Sequence, residues 1–372
     1  MMQRMLYGMM LFMVLGWTGS ACGTDTRKME LVIYGAFNED VMNPEIAAFK
    51  AWALEKHGMA FDVTYIYAST MATFDRVRSE AGHPHADVFL STGGLEIQAR
   101  NMELTAPYKV SSWDQILDFA KDPEGYWYAP EMLCYVILYN KRHVRPEEVP
   151  KDWADLLDER WRGQLILRDP AESGTAGSLM VSFLSVFGKT LGMDFLYRLD
   201  HLVDGEYMHS SSGTVYAVAR GEAQLTLWNE AFTLFVIHEK RFRNLGLVYP
   251  KSWMTAAPES KCIVKGAPHP ESARIWMEYQ MSLENAIRLA GEFKRPTRTD
   301  LPEDQIPEWL KATRDIPLLP LDWSKVAEVR ESWIMEWDTA VRGKGTAYVR
   351  AHPEVPAYTV TDAYLVHSTA EK

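Results

Sequence analysis

A unit made of one β-rich apolar run, a loop and a helical segment recurs along this chain, and it restricts the possible folds more than any other feature. The first three strands of this kind are predicted at Glu30–Tyr34, Phe61–Tyr67 and Ala86–Leu90. Asn43 before Pro44 is typical of a helix start, so the first helix is predicted to begin there. Strands and helices that alternate in this way favour an α/β fold with a parallel sheet, whose ligands bind at the loops beyond the carboxyl ends of the strands.

A second series of these units follows the long apolar run Leu133–Tyr139. Its strands are predicted at 164–167, 205–208, 223–227 and 246–249, with a return strand at Cys262–Val264. Apolar spacing predicts helices over 176–187, 193–202, 214–220, 270–289 and 323–342. The last segment, 346–372, is polar and is predicted to be a C-terminal tail.

Size and composition indicate a folded protein of two parts. The 372 residues are too many for one compact core, so two lobes of ordinary domain size are expected. The hydrophobic fraction of 47% is that of a fully folded chain. The formal net charge of −11 disfavours nucleic acid and anionic lipid as partners, so any anion must be bound by local geometry.

The N-terminus resembles an export signal. Arg4 precedes the apolar run Met5–Trp17, which is shorter than the roughly 20 residues of a membrane-spanning helix. Small residues follow, so 1–21 is predicted to be a cleavable signal peptide. Cys22 resembles the acylated cysteine of bacterial lipoproteins, although Gly19 stands where leucine is usual. We expect an exported protein that is anchored by lipid through Cys22. The alternative is an ordinary signal peptide that is cut nearby, with Cys22 incidental.

The densest binding chemistry lies at Ser173-Gly174-Thr175, between a predicted strand and a predicted helix. Glycine permits close approach of the backbone, hydroxyl groups add donors, and the free N–H groups of a helix start carry about half a positive charge. This combination predicts an anion cradle. The alternative is that Ser173 only caps the helix. Ser210–Gly213 and Ala68–Thr70 hold the same position in their units, and each alone fits a cap.

Catalytic and metal-binding motifs are incomplete or missing. Gly188-Lys189-Thr190 is not a phosphate loop, because Phe183 stands where such a loop needs glycine. His83 and His85 lie near a turn without adjacent cysteines, which favours surface residues over metal ligands. No Gly-x-Ser-x-Gly motif occurs. We therefore expect no enzyme activity, no cofactor and no bound metal.

Five blocks of the sequence carry a family resemblance: LVIYGAFNED, RVRSEAGHPHADVFLSTGG, PKDWADLLDERWRGQLILRDPAESGTAGS, AVARGEAQLTLWNEA and VKGAPHPESAR. They resemble the extracellular solute-binding proteins of ABC importers, in the branch that includes ferric-ion, phosphonate, polyamine and sugar-phosphate binders. The resemblance implies the two-lobed type II periplasmic-binding-protein fold, with the ligand cleft between the lobes. It implies lobe one at 30–132 plus 264–345 and lobe two at 133–263, with two hinge strands near 133–138 and 261–264.

The same resemblance implies a periplasmic monomer that captures a small solute and delivers it to an ABC permease in the membrane. The alternative is a sensor of the same fold that reports to a membrane kinase. Loops that follow strands meet at the cleft in this fold. The residues predicted to bind the ligand are therefore Phe37, Asn38, Ser69, Thr70, Ser91, Thr92, Gly93, Ser173, Gly174, Thr175, Ser211, Ser212, Asn229 and Glu230.

The segment Trp228-Asn229-Glu230, predicted as a loop, departs from the ferric-binding relatives, which usually carry adjacent tyrosines at this point. Glu230 facing the cleft would bind a hydrogen-bond donor of the ligand while Ser173–Thr175 holds its anionic end. A phosphorylated or phosphonate-like organic solute fits both. Trp228 either stacks on the ligand or fills the core, and a ferric-ion or polyamine ligand remains the alternative.

Only Cys134 and Cys262 follow Cys22, too few for a disulfide framework and wrongly spaced for zinc. The resemblance places one of them in each hinge strand. We expect both to be buried in neighbouring strands, with α-carbons within or near the ~4.4–6.8 Å that a disulfide tolerates. Whether they are bonded is left open at this point.

Overall fold

The computed structural model describes residues 28–314, 316 and 318–365. The predicted signal peptide at 1–21 and the predicted lipidation site Cys22 lie outside these ranges. Within them, every helix is too short or too polar to cross a membrane.

The described chain alternates strands and helices. The strands are β1 Lys28–Gly35, β2 Ala60–Tyr67, β3 Val88–Thr92, β4 Thr105–Ala106, β5 Tyr128–Asn140, β6 Leu165–Ile166, β7 Leu225–Asn229, β8 Leu245–Val248, β9 Met254–Val264, β10 Arg295–Pro296 and β11 Leu318–Leu319. The helices are α1 Glu39–His57, α2 Thr70–Ser79, α3 Leu95–Asn101, α4 Gly174–Phe187, α5 Lys189–Val203, α6 Ser211–Arg220, α7 Glu230–His238, α8 Pro270–Gln280, α9 Leu283–Gly291, α10 Glu308–Ala312, α11 Trp323–Glu336 and α12 Gly345–Ala351.

One sheet runs through the molecule in the order β2-β1-β3-β9-β5-β7-β6. The first half of the molecule is built around β1, β2 and β3, which pair in parallel, and the second half is built around β6 and β7, which also pair in parallel. β5 and β9 pair antiparallel with each other. β9 also pairs antiparallel with β3, and β5 pairs antiparallel with β7. The purely parallel sheet that the repeat predicts is therefore interrupted, because β9 runs antiparallel to β3 in the first half and β5 runs antiparallel to β7 in the second.

β5 and β9 connect the two halves. They pair with each other over Glu131–Cys134 and Ala256–Glu259. Beyond that segment, β9 pairs with β3 in the first half and β5 pairs with β7 and β8 in the second. We propose this paired segment as the hinge between the two lobes.

Each half has its own apolar core. In the first half, Phe49 of α1 packs edge-on against Trp276 of α8, with 4.9 Å between ring centroids. In the second half, Trp153 and Trp253 lie 5.2 Å apart, and the indole N–H of Trp153 donates to the carbonyl of Trp253. Because helices pack on the faces of the sheet, the ends of its strands remain available to form a site.

Several predicted element boundaries are wrong. α1 begins at Glu39 rather than at Asn43, since Pro44 is accommodated inside the helix; Asn38 holds the N-cap position without a side-chain cap hydrogen bond. The strand predicted at 205–208 is reduced to one bridge between Met208 and Arg168. The helix predicted over 270–289 is two helices, since Ser282 starts a new one by capping the N–H of Asn285.

The C-terminal segment is not a free polar tail within the described residues. The N–H of Gly345 in α12 donates to Asp200 of α5 at 2.8 Å. Further along, the hydroxyl of Tyr358 donates to Asp194 at 2.6 Å, so the chain crosses the face of the second half. We propose that lobe two includes this segment in addition to 133–263.

The expectation for the two cysteines is correct in part. Both are buried and free, and they lie in the neighbouring strands β5 and β9. The register pairs Cys134 with Ala256, whereas Cys262 pairs with Phe89 of β3. Cys262 is thus six residues along β9 from the partner of Cys134, or about 20 Å at ~3.3 Å per residue. The expected disulfide spacing is therefore wrong.

Candidate functional site

A cavity of about 500 Å³ lies between the two halves of the molecule. It is bounded by the carboxyl ends of β1, β2, β3 and β7 and by the helices that follow them. Of the residues predicted from sequence, the following line it: Phe37, Asn38, Ser69, Thr70, Ser91, Thr92, Ser173, Thr175, Ser211, Ser212 and Asn229. The structure thus brings together residues that are far apart in sequence, and their contact with a ligand stays a prediction.

Two of the predicted glycines do not line the cavity but lie where the halves touch. A Cβ on Gly174 would approach the methyl groups of Thr92 and Thr70 to 2.8 and 2.9 Å. A Cβ on Gly93 would lie 1.8 Å from the hydroxyl of Ser178. These glycines allow the start of α4 to press against the first half at the edge of the cavity.

The side chain of Glu230 does not line the cavity, contrary to the expectation that its carboxylate faces the cleft. It is the first residue of α7, and β7 runs directly into that helix, so the predicted loop 228–230 does not exist. Its carboxylate is buried and accepts hydrogen bonds from Arg295 at 2.6 and 2.9 Å and from the hydroxyl of Tyr249. Trp228 is buried at the end of β7 and also lines the cavity.

Four helices begin at the cavity with the same capping arrangement. Ser69, Ser173, Ser210 and Asn229 are the N-caps of α2, α4, α6 and α7, and all of them line the cavity. Each cap side chain accepts a hydrogen bond from the third N–H of its helix. The predicted cap at Ser173 is therefore present.

A cap of this kind leaves the first two N–H groups of each helix without an intrahelical partner. Those groups belong to the residue pairs 70–71, 174–175, 211–212 and 230–231. Each helix start also carries about half a positive charge from the aligned peptide dipoles. α2 comes from the first half and the other three come from the second, so an anion in the cavity would be approached from both sides.

The floor of the cavity is formed by the paired segment of β5 and β9 and carries ionisable side chains. Glu131 of β5 and Glu259 of β9 lie directly opposite each other in the strand pair, and both line the cavity together with Lys294. Lys294 Nζ lies 3.3 Å from Glu131. Lys261, which is fully buried, lies 5.0 Å from the centre of the Phe37 ring, which also lines the cavity.

Burial and charge perturb the protonation of this floor. Burial is the main cause that raises the pKa of Glu259 to about 8; Lys261 and Lys294 oppose this shift and the neighbouring Glu131 adds to it. For Glu45, which lies behind the floor, burial acts in the same direction, but Lys294 and Lys261 are close enough to lower its pKa overall. The carboxyl group of Glu259 therefore keeps its proton to a higher pH than an ordinary carboxyl group.

A second charged cluster lies at the mouth of the cavity. Asp169, Glu172 and His209 have ligand atoms within 4.8 Å of one another. Asp169 already accepts two hydrogen bonds from Arg342 at 2.8 and 2.9 Å, and Glu172 accepts one from Arg168 at 3.2 Å. A cation at this cluster would share these carboxylates with the two guanidinium groups.

Phenolate ligands for Fe(III) are scarce at the cavity. Among the described residues that line it, Tyr67 is the only tyrosine. The hydroxyl of Tyr65 donates to the carbonyl of Phe37, and burial raises its pKa. The hydroxyl of Tyr249 is engaged by Glu230, and Tyr207 donates to Asp200 away from this cavity.

Sequence reasoning missed the ionisable residues of the floor and of the mouth. Glu131 and Glu259 each follow an Ala-Pro pair inside an apolar strand, in YAPEMLCYVILYN and MTAAPESKCIV. A charged residue after proline in such a strand is a usable signal, because burial of an unpaired charge is costly and marks a special position. Lys294, Arg168 and His209 lie in irregular segments and carry no comparable signal.

Known proteins resemble this chain in sequence and in fold. A family model described as bacterial extracellular solute-binding protein matches residues 83–328. Iron uptake protein A1 of Synechocystis is 23% identical over 270 residues, which are 70% of this chain and 73% of that protein. A periplasmic protein of Salmonella typhimurium assigned to 2-aminoethylphosphonate binding is 22% identical over 285 residues, which are 74% of this chain and 78% of that protein.

The fold also matches a solved structure over most of this chain. The periplasmic binding protein AfuA from Actinobacillus pleuropneumoniae, solved with fructose-6-phosphate bound, superposes with a TM-score of 0.72 at 20% sequence identity. The match covers 85% of this chain and 99% of AfuA. The two-lobed type II periplasmic-binding-protein fold expected from the sequence is confirmed.

Proposed function

Because the chain belongs to the bacterial extracellular solute-binding protein family, we propose that it captures a small organic solute with a phosphate or phosphonate group and delivers it to an ABC permease. The observation that carries this proposal is the convergence of four capped helix starts on one cavity. Their free N–H groups can donate to several oxygens of one anionic group, and a tetrahedral group offers three such oxygens.

The cavity fits a small organic molecule better than a bare ion. Its volume of about 500 Å³ lies in the range of ordinary small-molecule sites. Phe37, Phe232 and Phe235 add apolar surface to its wall, which suits a carbon skeleton. The relative named for 2-aminoethylphosphonate and the structure of AfuA with fructose-6-phosphate bound both point to ligands of this class. Ferric ion is the weaker candidate, since Tyr67 alone offers a phenolate among the described lining residues.

We place the protein outside the cytoplasmic membrane, as a monomer held to a membrane by lipid on Cys22. The small residues before Cys22 and the apolar run before them support export and acylation. Metabolic labelling with a fatty-acid analogue, compared with a Cys22→Ser variant, tests the anchor. Loss of label in the variant is expected, and equal label in both proteins would contradict it.

The anion cradle is tested by placing a negative charge in it. Ser212→Asp puts a carboxylate at the second position of α6, where it favours the helix dipole but repels a bound anion. We expect the affinity for the phosphorylated or phosphonate solute to fall at least about tenfold, with unchanged thermal stability. Ser324→Asp is the matched control, because Ser324 is exposed at the second position of α11, away from the cavity.

The measurement is isothermal titration calorimetry after native mass spectrometry has looked for a co-purified solute. Fructose 6-phosphate, 2-aminoethylphosphonate, spermidine and ferric citrate form the probe panel. Binding of a phosphorylated or phosphonate probe that Ser212→Asp weakens and Ser324→Asp does not would support the proposal. Binding of spermidine or ferric citrate alone would refute it.

A further inference from the structure

Buried carboxyl groups lie in the cavity floor and behind it. They are Glu45, Glu131 and Glu259, and the cations around them are Lys261, Lys294 and Arg288. Arg288 pairs with Glu292 at 2.7 Å, and Lys294 lies between Glu131 and Glu45 at 3.3 and 3.6 Å. Glu131 and Glu45 thus share the ammonium group of Lys294, and among the described residues Glu259 has no ion pair.

Glu259 is the carboxyl group without a partner. It is only 5% exposed, it lines the cavity, and within the ranges 28–314, 316 and 318–365 no hydrogen bond or ion pair engages its side chain. A buried carboxyl group without a partner is costly unless a cation or a donor completes it. Oε1 of the opposite residue, Glu131, is buried and forms an ion pair with Lys294 at 3.3 Å.

This carboxyl pair lies beside the anion cradle. Thr92 of β3 pairs with Glu259 on the side opposite to Glu131. The methyl group of Thr92 in turn abuts Gly174, the first residue of α4. Adjacent strands lie about 5 Å apart, so a spacer of two or three carbon atoms can connect a group at the α4 start to a group at Glu259.

We propose that Glu259 and Glu131 form a subsite for a protonated amine, so that the solute is a short zwitterion with an anionic group at the helix starts and an ammonium group at the cavity floor. This inference rests on the proposed function and narrows its solute class. It also accounts for a feature that a purely anionic solute leaves unexplained, namely two carboxyl groups at the floor of an anion site. An ammonium group supplies a positive charge and three donors.

Binding of the ammonium group is coupled to a proton. The groups that face Glu259 are Glu131 and Tyr135 from β5, Lys261 from its own strand, Lys294 before β10, Glu96 of α3 and Tyr65 of β2. Below about pH 8 the Glu259 carboxyl holds a proton in the free protein. An ammonium group favours the carboxylate, so binding at pH 7 releases this proton to the buffer.

The experiment compares 2-aminoethylphosphonate with ethylphosphonate, which lacks the amine, by calorimetry at pH 7 on the wild-type protein and on Glu259→Gln. A charge-assisted hydrogen bond predicts that the wild type binds the amino compound roughly 10- to 100-fold more tightly. Glu259→Gln should remove this preference and leave the affinity for ethylphosphonate within about threefold. Glu239→Gln is the matched control, because Glu239 lines the same cavity but is exposed at its rim.

A second measurement needs no variant. Titrations of the wild type in two buffers with different heats of ionisation give the number of protons released, and we expect close to one with the amino compound and none with ethylphosphonate. Equal affinity for both compounds without proton release would overturn the ammonium subsite and leave the proposed function intact. Binding of neither compound would overturn the proposed function and this inference together.

Discussion

Gly174 gives the sharpest test of how the two halves meet around the cavity. It is the first residue of α4, and it faces Thr92 and Thr70 of the first half. An added Cβ would lie 2.8 Å from the methyl group of Thr92 and 2.9 Å from that of Thr70. Carbon atoms in contact prefer about 3.5–4.0 Å, so Gly174→Ala must separate the halves by about 1 Å at this point.

The added methyl group should destabilise the contact between the two halves, and it should not destabilise either half by itself. Overpacking by one methyl group typically costs about 1–3 kcal/mol, which corresponds to roughly a 5- to 150-fold loss of affinity if the whole cost is borne in the bound state. Alanine also suits a helix better than glycine, by up to about 1 kcal/mol. We therefore expect weaker binding of the solute, with a melting temperature that is unchanged or slightly raised.

Calorimetry with the tightest-binding probe of the panel provides the measurement. Gly291→Ala is the matched control, because Gly291 also lines the cavity, at the end of α9, and an added Cβ there meets nothing within 4 Å. Combining Gly174→Ala with Thr70→Ser and Thr92→Ser removes the two opposing methyl groups but keeps their hydroxyls, and it should restore most of the affinity. Unchanged affinity in Gly174→Ala would refute the argument, as would a loss of the same size in Gly291→Ala.

Three further results are expected. Glu230→Ala leaves the buried guanidinium group of Arg295 without its carboxylate, and it should lower the free energy of unfolding in urea by about 3–5 kcal/mol. Glu222→Ala, the control, breaks an exposed ion pair and should change this free energy little. Similar losses in the two variants would contradict a structural role for Glu230. Titration with ferric citrate should leave the protein colourless, because Tyr67 is the only tyrosine among the described lining residues; a visible phenolate-to-iron band would show otherwise. Alkylation of denatured, unreduced protein should label both Cys134 and Cys262, and protection of both would contradict the register of β5 and β9.

Local patterns in the sequence predict the units of the fold well. Apolar runs followed by polar or glycine-containing loops correctly predict β1, β2, β3 and β7. These strands can be predicted because the hydrophobic period of a strand or a helix depends only on residues close together in the sequence. The caps at Ser69, Ser173 and Ser210 follow from the same local chemistry. Most of the predicted site residues line the cavity for this reason, because the ends of strands gather at one edge of a sheet.

Errors appear wherever a distant partner decides the outcome. Glu230 was expected in the cleft from its place after a strand, but Arg295, which is 65 residues away in sequence, holds it in the core. Cys134 and Cys262 lie in adjacent strands as expected, yet the register separates them by six residues along β9. A register depends on which side chains of two strands fit together, and neither strand carries this information alone.

The sequence by itself determined the strand–loop–helix units, the capped helix starts and the absence of a complete catalytic motif, because each of these depends on residues a few positions apart. Only the tertiary structure decided that Glu131 and Glu259 oppose each other beneath the cavity and that Gly174 abuts Thr92. These contacts join segments that are 82 to 128 residues apart in the chain, and they exist because β5 and β9 pass between the two halves and bring their strand ends to one place.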